Sequence, residues 1–275
     1  MLNNIEFGKR IVILRKNKNY TQEKMSLFLN VTPQAISKWE NGDSLPDTGM
    51  LPLLAQVLEV SIDYLLIGEP LLEKASPYDN QYKKEGYYWG LEPSLLAKQI
   101  IKFVEDISDK VLLDIGSGEG RDAVYFAQNG FKVDALEISE PGIEKIRKYS
   151  KENGWNVNIL HENMINYELK KAYNIIYSSG SLQFLPLEQR KDHFENYKKH
   201  TVVGGVNAHL VFVEKPFVKI APDWEKNEFF YLSGDLAKFY ADWQILYYDE
   251  RIIDCNSAGI PHQHAICCII AKKHI

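Results

Sequence analysis

The chain has 275 residues, 45% of them hydrophobic and 25% charged, enough for a packed core and too many for one average domain, so two domains are expected. A formal net charge of -5 argues against a general polyanion binder, although a local DNA-reading surface stays open. Three cysteines, Cys255, Cys267 and Cys268, are too few and too oddly numbered for a disulfide framework and read as reduced thiols of a cytoplasmic protein.

At the N-terminus, Met1 is followed by Asn3, Asn4 and Glu6 with no small-residue cleavage site, so no signal peptide is expected. No apolar run approaches a membrane span, so no membrane association is expected either. Residues 1–68 read as short helices with brief turns. Thr21 is placed to cap one helix and Thr32, followed by Pro33, to start the next. Asn30 stands at the intervening turn, where a left-handed residue is wanted. Ala35, Ile36 and Trp39 are expected to pack a small core. Lys9, Arg10, Arg15, Lys16 and Lys18 cluster at the first helix, yet residues 1–70 hold seven Lys/Arg against eight Asp/Glu and are not basic overall.

Residues 69–90 carry Pro70, Pro77, Gly86 and Gly90 among many tyrosines, show no clear period, and read as a linker or lid. From Leu91 the pattern alternates. Strands are expected at 111–115, 132–138, 157–161, 173–178, 206–213, 244–250 and 265–271, and helices at 94–104, 122–129, 141–153, 187–200 and 233–240. Such alternation argues for an α/β domain, a parallel sheet covered by helices on both faces. The last two strands have no helix between them and are expected to form an antiparallel hairpin at the sheet edge.

The central motif is Asp114-Ile-Gly116-Ser-Gly118-Glu-Gly120, which follows a buried strand and opens a helix. Glycines there let the backbone turn sharply and approach a ligand above the strand ends. A dinucleotide fingerprint needs its third glycine at position 121, which is Arg121. Glu137 ends the second strand, where a carboxylate can accept hydrogen bonds from both ribose hydroxyls of a nucleoside. Asp134 lies mid-strand and is less well placed.

This G-x-G-x-G pattern, with an acid before it and Glu137 after it, resembles S-adenosylmethionine-dependent methyltransferases. The stretches 121–130, 178–185, 234–243 and the ending Ala271-Lys-Lys273 look like the tellurite-resistance methyltransferases, and more distantly the thiopurine type. The resemblance covers nearly all of 91–273. It implies a Rossmann-like methyltransferase fold with a mostly parallel seven-stranded sheet and an antiparallel edge strand. S-adenosyl-L-methionine would be the cofactor, held by Asp114, Gly116, Ser117, Gly118, Gly120, Glu137, Ile138, Asn163, Met164, Ser179 and Trp89. For Asn163 the plain alternative is a turn residue, for Met164 core packing, and for Tyr87-Tyr88-Trp89 packing between linker and domain.

The implied activity is methyl transfer to a small molecule, with a soft nucleophile such as a thiol or a metalloid oxyanion needing no general base. Catalytic candidates at the expected active edge are Ser179, Gln183, Glu214, His262 and His264. The insert 215–230, with Trp224, Phe229 and Phe230, could cover the pocket. Arg121 could bind an anion or pair with Asp122 or Glu119. No third ligand accompanies His262 and His264, so no metal is expected. Methylation of DNA is disfavoured because Ser178-Ser-Gly-Ser181 lacks the Asn/Asp-Pro-Pro-aromatic signature. The alternative reading is a transcriptional regulator that uses the methyltransferase fold to sense the cofactor or a metabolite.

Residues 7–66, through Ile11-Val-Ile-Leu-Arg15, Tyr20-Thr-Gln-Glu23, the run 31–42, Leu45-Pro46, 53–58 and 60–66, resemble the all-α helix-turn-helix domains of the Xre/Cro family. That resemblance implies double-stranded DNA as partner, read by Gln22, Thr32, Gln34, Ser37 and Lys38, with Asn41 near a phosphate. The expected organisation is therefore 1–68 helix-turn-helix, 69–90 linker or lid, and 91–275 methyltransferase. Whether the protein is a homodimer is left open.

Overall fold

The computed structural model describes residues 3–58, 60–67, 76–219, 221–222, 228–256 and 260–274. It divides into two compact units, Met1–Glu73 and Lys74–Ile275, so residues 76–90, read above as linker or lid, belong to the second unit.

The first unit holds α1 (Asn4–Asn17), α2 (Gln22–Leu29), α3 (Pro33–Asn41), α4 (Leu51–Leu58) and α5 (Ile62–Ile67). Local chemistry sets these boundaries. Thr21 Oγ1 accepts from the Lys24 amide and Thr32 Oγ1 from the Ala35 amide, each satisfying a helix-start N–H. Asn30 closes α2 at φ 52°, ψ 46°, the left-handed turn that Asn tolerates. Phe7, Ile11, Met25, Leu29, Ile36, Trp39 and Leu54 fill the core, with Ala35 packed beside it.

Two arginines of the basic first helix are spent inside this unit. Arg10 donates to the Leu65 and Leu66 carbonyls in the last turn of α5, at 3.1 and 2.6 Å. Arg15 grips the buried Glu40 carboxylate with two nitrogens, at 2.5 and 3.0 Å. The expected basic cluster is therefore partly structural.

The second unit is built on β1 (Val111–Ile115), β2 (Lys132–Glu137), β3 (Val157–His161), β4 (Tyr173–Ser179), β5 (Thr201–Phe212), β6 (Gln244–Cys255) and β7 (His262–Lys272). Their order is β3-β2-β1-β4-β5-β7-β6. Strands β1 to β5 pair in parallel, while β7 runs antiparallel to both β5 and β6. The hairpin expected at the sheet edge is present; the reversed strand is β7, one place in from the rim strand β6.

Helices α6 (Asp79–Tyr82), α7 (Leu95–Phe103), α8 (Arg121–Gln128), α9 (Glu140–Asn153), α10 (Arg190–Lys199) and α11 (Asp235–Phe239) complete the unit. One face of the sheet packs against α7, α8 and α9 through Leu96, Ile100, Ala123, Phe126 and Ile146. The other packs against α10 and α11 through Phe194, Tyr197 and Leu236. Because both faces are covered, β1 is apolar on both: Leu112 joins the first cluster, Leu113 and Ile115 the second.

Several element ends differ from the sequence reading. β5 starts at Thr201, five residues early; β6 continues past Glu250 to Cys255; β7 starts at His262. Rim strand β6 is only half covered, so Glu250, Arg251 and Asp254 sit in it without breaking the ladder. The helix expected at 187–200 begins as a separate 3₁₀ turn, Leu187–Gln189. Among the described residues, no helix is long and apolar enough to cross a membrane.

Candidate functional site

The strand order reverses between β1 and β4, and the Gly-rich turn leaves β1 at that point, where open α/β sheets hold ligands. Gly116 and Gly118 sit at φ 70° and 58°, left-handed values that disfavour other residues. Space imposes a second demand. A Cβ on Gly116 would lie 2.4 Å from the Ser181 Cβ, and one on Gly118 3.0 Å from the Tyr82 hydroxyl. The turn is pinned by the Gly116 and Ser117 amides, which donate to the Leu136 carbonyl at 2.8 and 3.1 Å. Ser117 Oγ bonds back to the Asp114 carbonyl, and Ser181 Oγ to the Ile115 carbonyl. Gly120 is the left-handed entry to α8 and packs on Ile146.

Two buried acids flank the loop. Asp114 is 2% exposed, and its Oδ2 has no hydrogen-bond partner among the described residues. Burial, reinforced by Asp122, raises its pKa well above the usual carboxylate range. Glu137 is also buried, but its carboxylate is held by three backbone amides: Oε2 by Gly118 at 2.7 Å, Oε1 by Ile138 and Ser139 at 3.0 and 2.8 Å. Burial pushes its pKa up to about 7 against the opposing pull of those amides. Asp134 has a different task, accepting from Asn158 and Tyr173 and pairing with Lys171.

Residues 76–90 form a strap across this loop. Tyr82 is buried against Gly118, and its hydroxyl accepts the Trp89 indole N–H at 3.0 Å. Asp79 accepts from Ser139 Oγ at 2.6 Å. Lys145 of α9 donates to the Lys84 and Gly86 carbonyls and pairs with buried Glu119 at 2.6 Å; Glu119 also accepts the Trp89 amide. Tyr78, Tyr88 and Trp89 make one ring cluster, and Tyr78 meets Phe184 edge-on at 6.2 Å. Arg121 pairs with Asp122 and donates to the Trp89 carbonyl. Neither Tyr82 nor Lys145 stood out in the sequence, and Glu119, expected there as a partner of Arg121, pairs with Lys145.

On the remaining rim, Ile138 is half-buried and its carbonyl meets the His161 ring at 3.1 Å. Asn163 Oδ1 caps a local turn through the Ile165 amide, while Met164 packs against the core cluster. Ser179 ends β4, half-buried. Gln183 donates to the Gly180 carbonyl, but its buried Oε1 has no partner among the described residues. Glu214 is exposed. Phe229 is tied down by its amide to the Gln183 carbonyl and by buried Arg190, whose guanidinium also lies 3.7 Å over the Tyr231 ring. Trp224 lies outside the described residues.

His262 and His264 face each other with Nε2 atoms 2.9 Å apart. The sequence reading found no third ligand for them. In the structure a third potential donor is close by: Cys255 brings its sulfur within 4.8 Å of both. Also unforeseen is a buried chain from Ser178 through His209 to Tyr240, with both links at 2.8 Å. Burial lowers the His209 pKa to about 3, so the ring is neutral and acts as a core connector.

In the first unit, Thr32, which caps α3, and Gln34 and Lys38 on that helix are exposed, and Ser37 is half-buried. Gln22 is turned inward, its amide donating to Glu40 at 2.7 Å. Asn41 is exposed at the helix end.

Sheet order, glycine loop and flanking acids define the class, a domain of the S-adenosylmethionine-dependent methyltransferase fold, here preceded by a helix-turn-helix unit. The chain belongs to the family described as "Tellurite resistance protein TehB", which matches residues 81–259, and the "Helix-turn-helix" family matches residues 11–65. It is similar to the Haemophilus influenzae protein described as "Probable S-adenosyl-L-methionine-dependent methyltransferase TehB", 24% identical over 171 residues, 62% of this chain and 59% of that protein. The match thus spans less than two thirds of that relative. The crystal structure of TehB from Haemophilus influenzae superposes with a TM-score of 0.59 at 21% identity, covering 73% of this chain and 67% of that one. The N-terminal part is similar to the "HTH-type transcriptional activator BcrR" of Enterococcus faecalis, 37% identical over 83 residues, 30% of this chain and 41% of that protein.

Proposed function

We propose that the second unit is an S-adenosyl-L-methionine-dependent methyltransferase acting on a small soft nucleophile, and that the first unit binds double-stranded DNA. The observation that carries the enzyme reading is the pair of acids at the glycine loop, one oriented and one unsatisfied. Glu137 is fixed by three amides, which supports the reading that its remaining acceptor position takes a ribose hydroxyl. Asp114 Oδ2 is a buried oxygen with no partner among the described residues, suited to a cationic group brought in by a ligand. The left-handed glycines let the backbone turn tightly under Ser181 and Tyr82, where a Cβ would clash.

When bound, the cofactor supplies an electrophilic methyl group. The chain's own contribution is alignment and exclusion of water. The strap closes the loop side with Tyr82 and Trp89, and Gln183 and Ser179 lie at the β4 end where an acceptor would enter. A thiolate or a chalcogen oxyanion arrives already deprotonated, so neither an exposed Glu214 nor the neutral, buried His209 has to serve as base.

The test is turnover. Full-length protein incubated with labelled cofactor and a panel of thiols, tellurite, selenite and aromatic amines should methylate at least one of them. Cofactor binding with no product across the panel would instead favour the regulator reading, in which the fold senses the cofactor for the DNA-binding unit. For the first unit, Gln34 and Lys38 are the base and phosphate contacts we propose, with Thr32 and Ser37 beside them. Gln22, bonded to Glu40, is the weakest of the expected DNA contacts.

A further inference from the structure

Cys255 and His262 are directly cross-strand partners where β6 and β7 pair, and His264 is two residues further along β7. Directly opposed residues share a sheet face, and so do positions two apart, so all three side chains project from one side. Each offers one ligating atom, and the three atoms lie within 4.8 Å of one another.

We propose that Cys255, His262 and His264 form a binding site for one borderline-soft divalent cation of the zinc class. Thiolate plus imidazole is the donor set such ions select, and three protein ligands leave a fourth tetrahedral position for water or a soft anion. The second coordination sphere is already in place. His262 Nδ1 lies 2.7 Å from the Ile260 carbonyl, a bond that puts the ring proton on Nδ1 and leaves the Nε2 lone pair facing His264. His264 is 4% exposed and held against the Phe212 ring at 4.8 Å, so its direction is fixed. The two imidazoles stand nearly perpendicular, at 88°.

The metal-free geometry is close to the bound one. Tetrahedral zinc with bonds of about 2.0–2.1 Å would set its two nitrogens roughly 3.3 Å apart, against the 2.9 Å observed. A parting of a few tenths of an ångström admits the ion, and binding releases the Cys255 thiol proton to solvent. The other thiols do not compete for this place: Cys267 falls on the opposite sheet face, and Cys268 is four residues along β7 from His264. The site stands at the carboxyl edge of the sheet, since Phe212 ends β5 and its ring covers Gly180 after β4.

The experiment uses the full chain, stripped with chelator and titrated with cobalt(II). The expected result is one equivalent bound, a thiolate-to-cobalt charge-transfer band in the near ultraviolet, tetrahedral bands in the visible, and displacement of both by one equivalent of zinc. Cys255→Ser should abolish the near-ultraviolet band and weaken zinc binding by about tenfold or more, as expected for loss of a ligand. His262→Ala, at a more exposed position, should weaken it comparably with the fold intact by circular dichroism. Failure of the wild-type chain to take up cobalt, or a band that survives Cys255→Ser, overturns the proposal.

Discussion

Replacing Glu137 by Gln tests the cofactor site through two opposite pH slopes. A carboxylate offers about four acceptor positions; the Gly118, Ile138 and Ser139 amides take three. One strong bond to a ribose hydroxyl therefore remains, worth about 1.5–3 kcal/mol, or roughly 10- to 100-fold in affinity. Because burial lifts the Glu137 pKa to about 7, a ligand that requires the ionised form should bind about tenfold more weakly for each pH unit below that value. Folding runs the other way. The group's pKa is raised from 4.5 in the folded state, so its stabilising contribution is fully present below pH 4.5 and lost as pH rises to about 7. Over that span of about 2.5 units, the loss is on the order of 3 kcal/mol. Calorimetric titration with the demethylated cofactor between pH 6 and 8 reads the first slope, and urea melts of the ligand-free chain from below pH 4.5 to above about 7 read the second. Glu137→Gln should remove the Glu137 share of each slope, while Asp114, also raised by burial, still titrates in the variant. An affinity in the wild type that does not change between pH 6 and 8 refutes the reasoning.

Gly116→Ala forces a Cβ to 2.4 Å from Ser181 at a left-handed φ, and should cost about 2–4 kcal/mol by thermal melting, from strain and overpacking together. Lys145→Met leaves Glu119 buried without its cation, and denaturant unfolding should show a loss of about 3 kcal/mol, with faster proteolysis within residues 76–90. Arg15→Met strands Glu40 in the same way and should unfold the first unit, lowering its helical signal. Gln34→Ala combined with Lys38→Ala keeps that signal and the methyl-transfer rate while weakening DNA binding at least tenfold in a gel-shift titration, an order set by losing one base contact and one phosphate contact.

What the sequence made legible was local. Thr21, Asn30 and Thr32 mark helix ends because capping is decided within three residues, and all three act as expected. Gly116, Gly118 and Glu137 could be placed because strand, turn and helix are contiguous. Long-range partners were not legible. Nothing near Lys145 in the sequence shows that it closes over the Lys84 and Gly86 carbonyls, nor does the basic run of the first helix show that Arg10 and Arg15 face inward. Cys255 was missed for a definable reason. Ending the rim strand at Glu250 left it in a loop, whereas five further ladder positions carry it opposite His262.

The strap and the glycine loop compete for the same small volume, and this decides how a ligand can enter. The Tyr82 hydroxyl already sits where a Gly118 side chain would be, and the Gly118 amide already occupies one oxygen of Glu137. A nucleoside placed on that carboxylate therefore meets an acceptor set in advance by the backbone, at no cost in side-chain ordering at Glu137. The strap is the part with freedom to yield, since it is held partly by side-chain bonds exchangeable with water, from its own Asp79 to Ser139 and from Lys145 of α9 to the Lys84 and Gly86 carbonyls. Binding should thus be limited by strap opening, with the sheet edge unchanged. Loosening the strap with Lys145→Met should raise the association rate for the cofactor product and raise the dissociation rate by more, leaving net affinity lower in stopped-flow measurements. An unchanged association rate would place the entry route elsewhere on the rim.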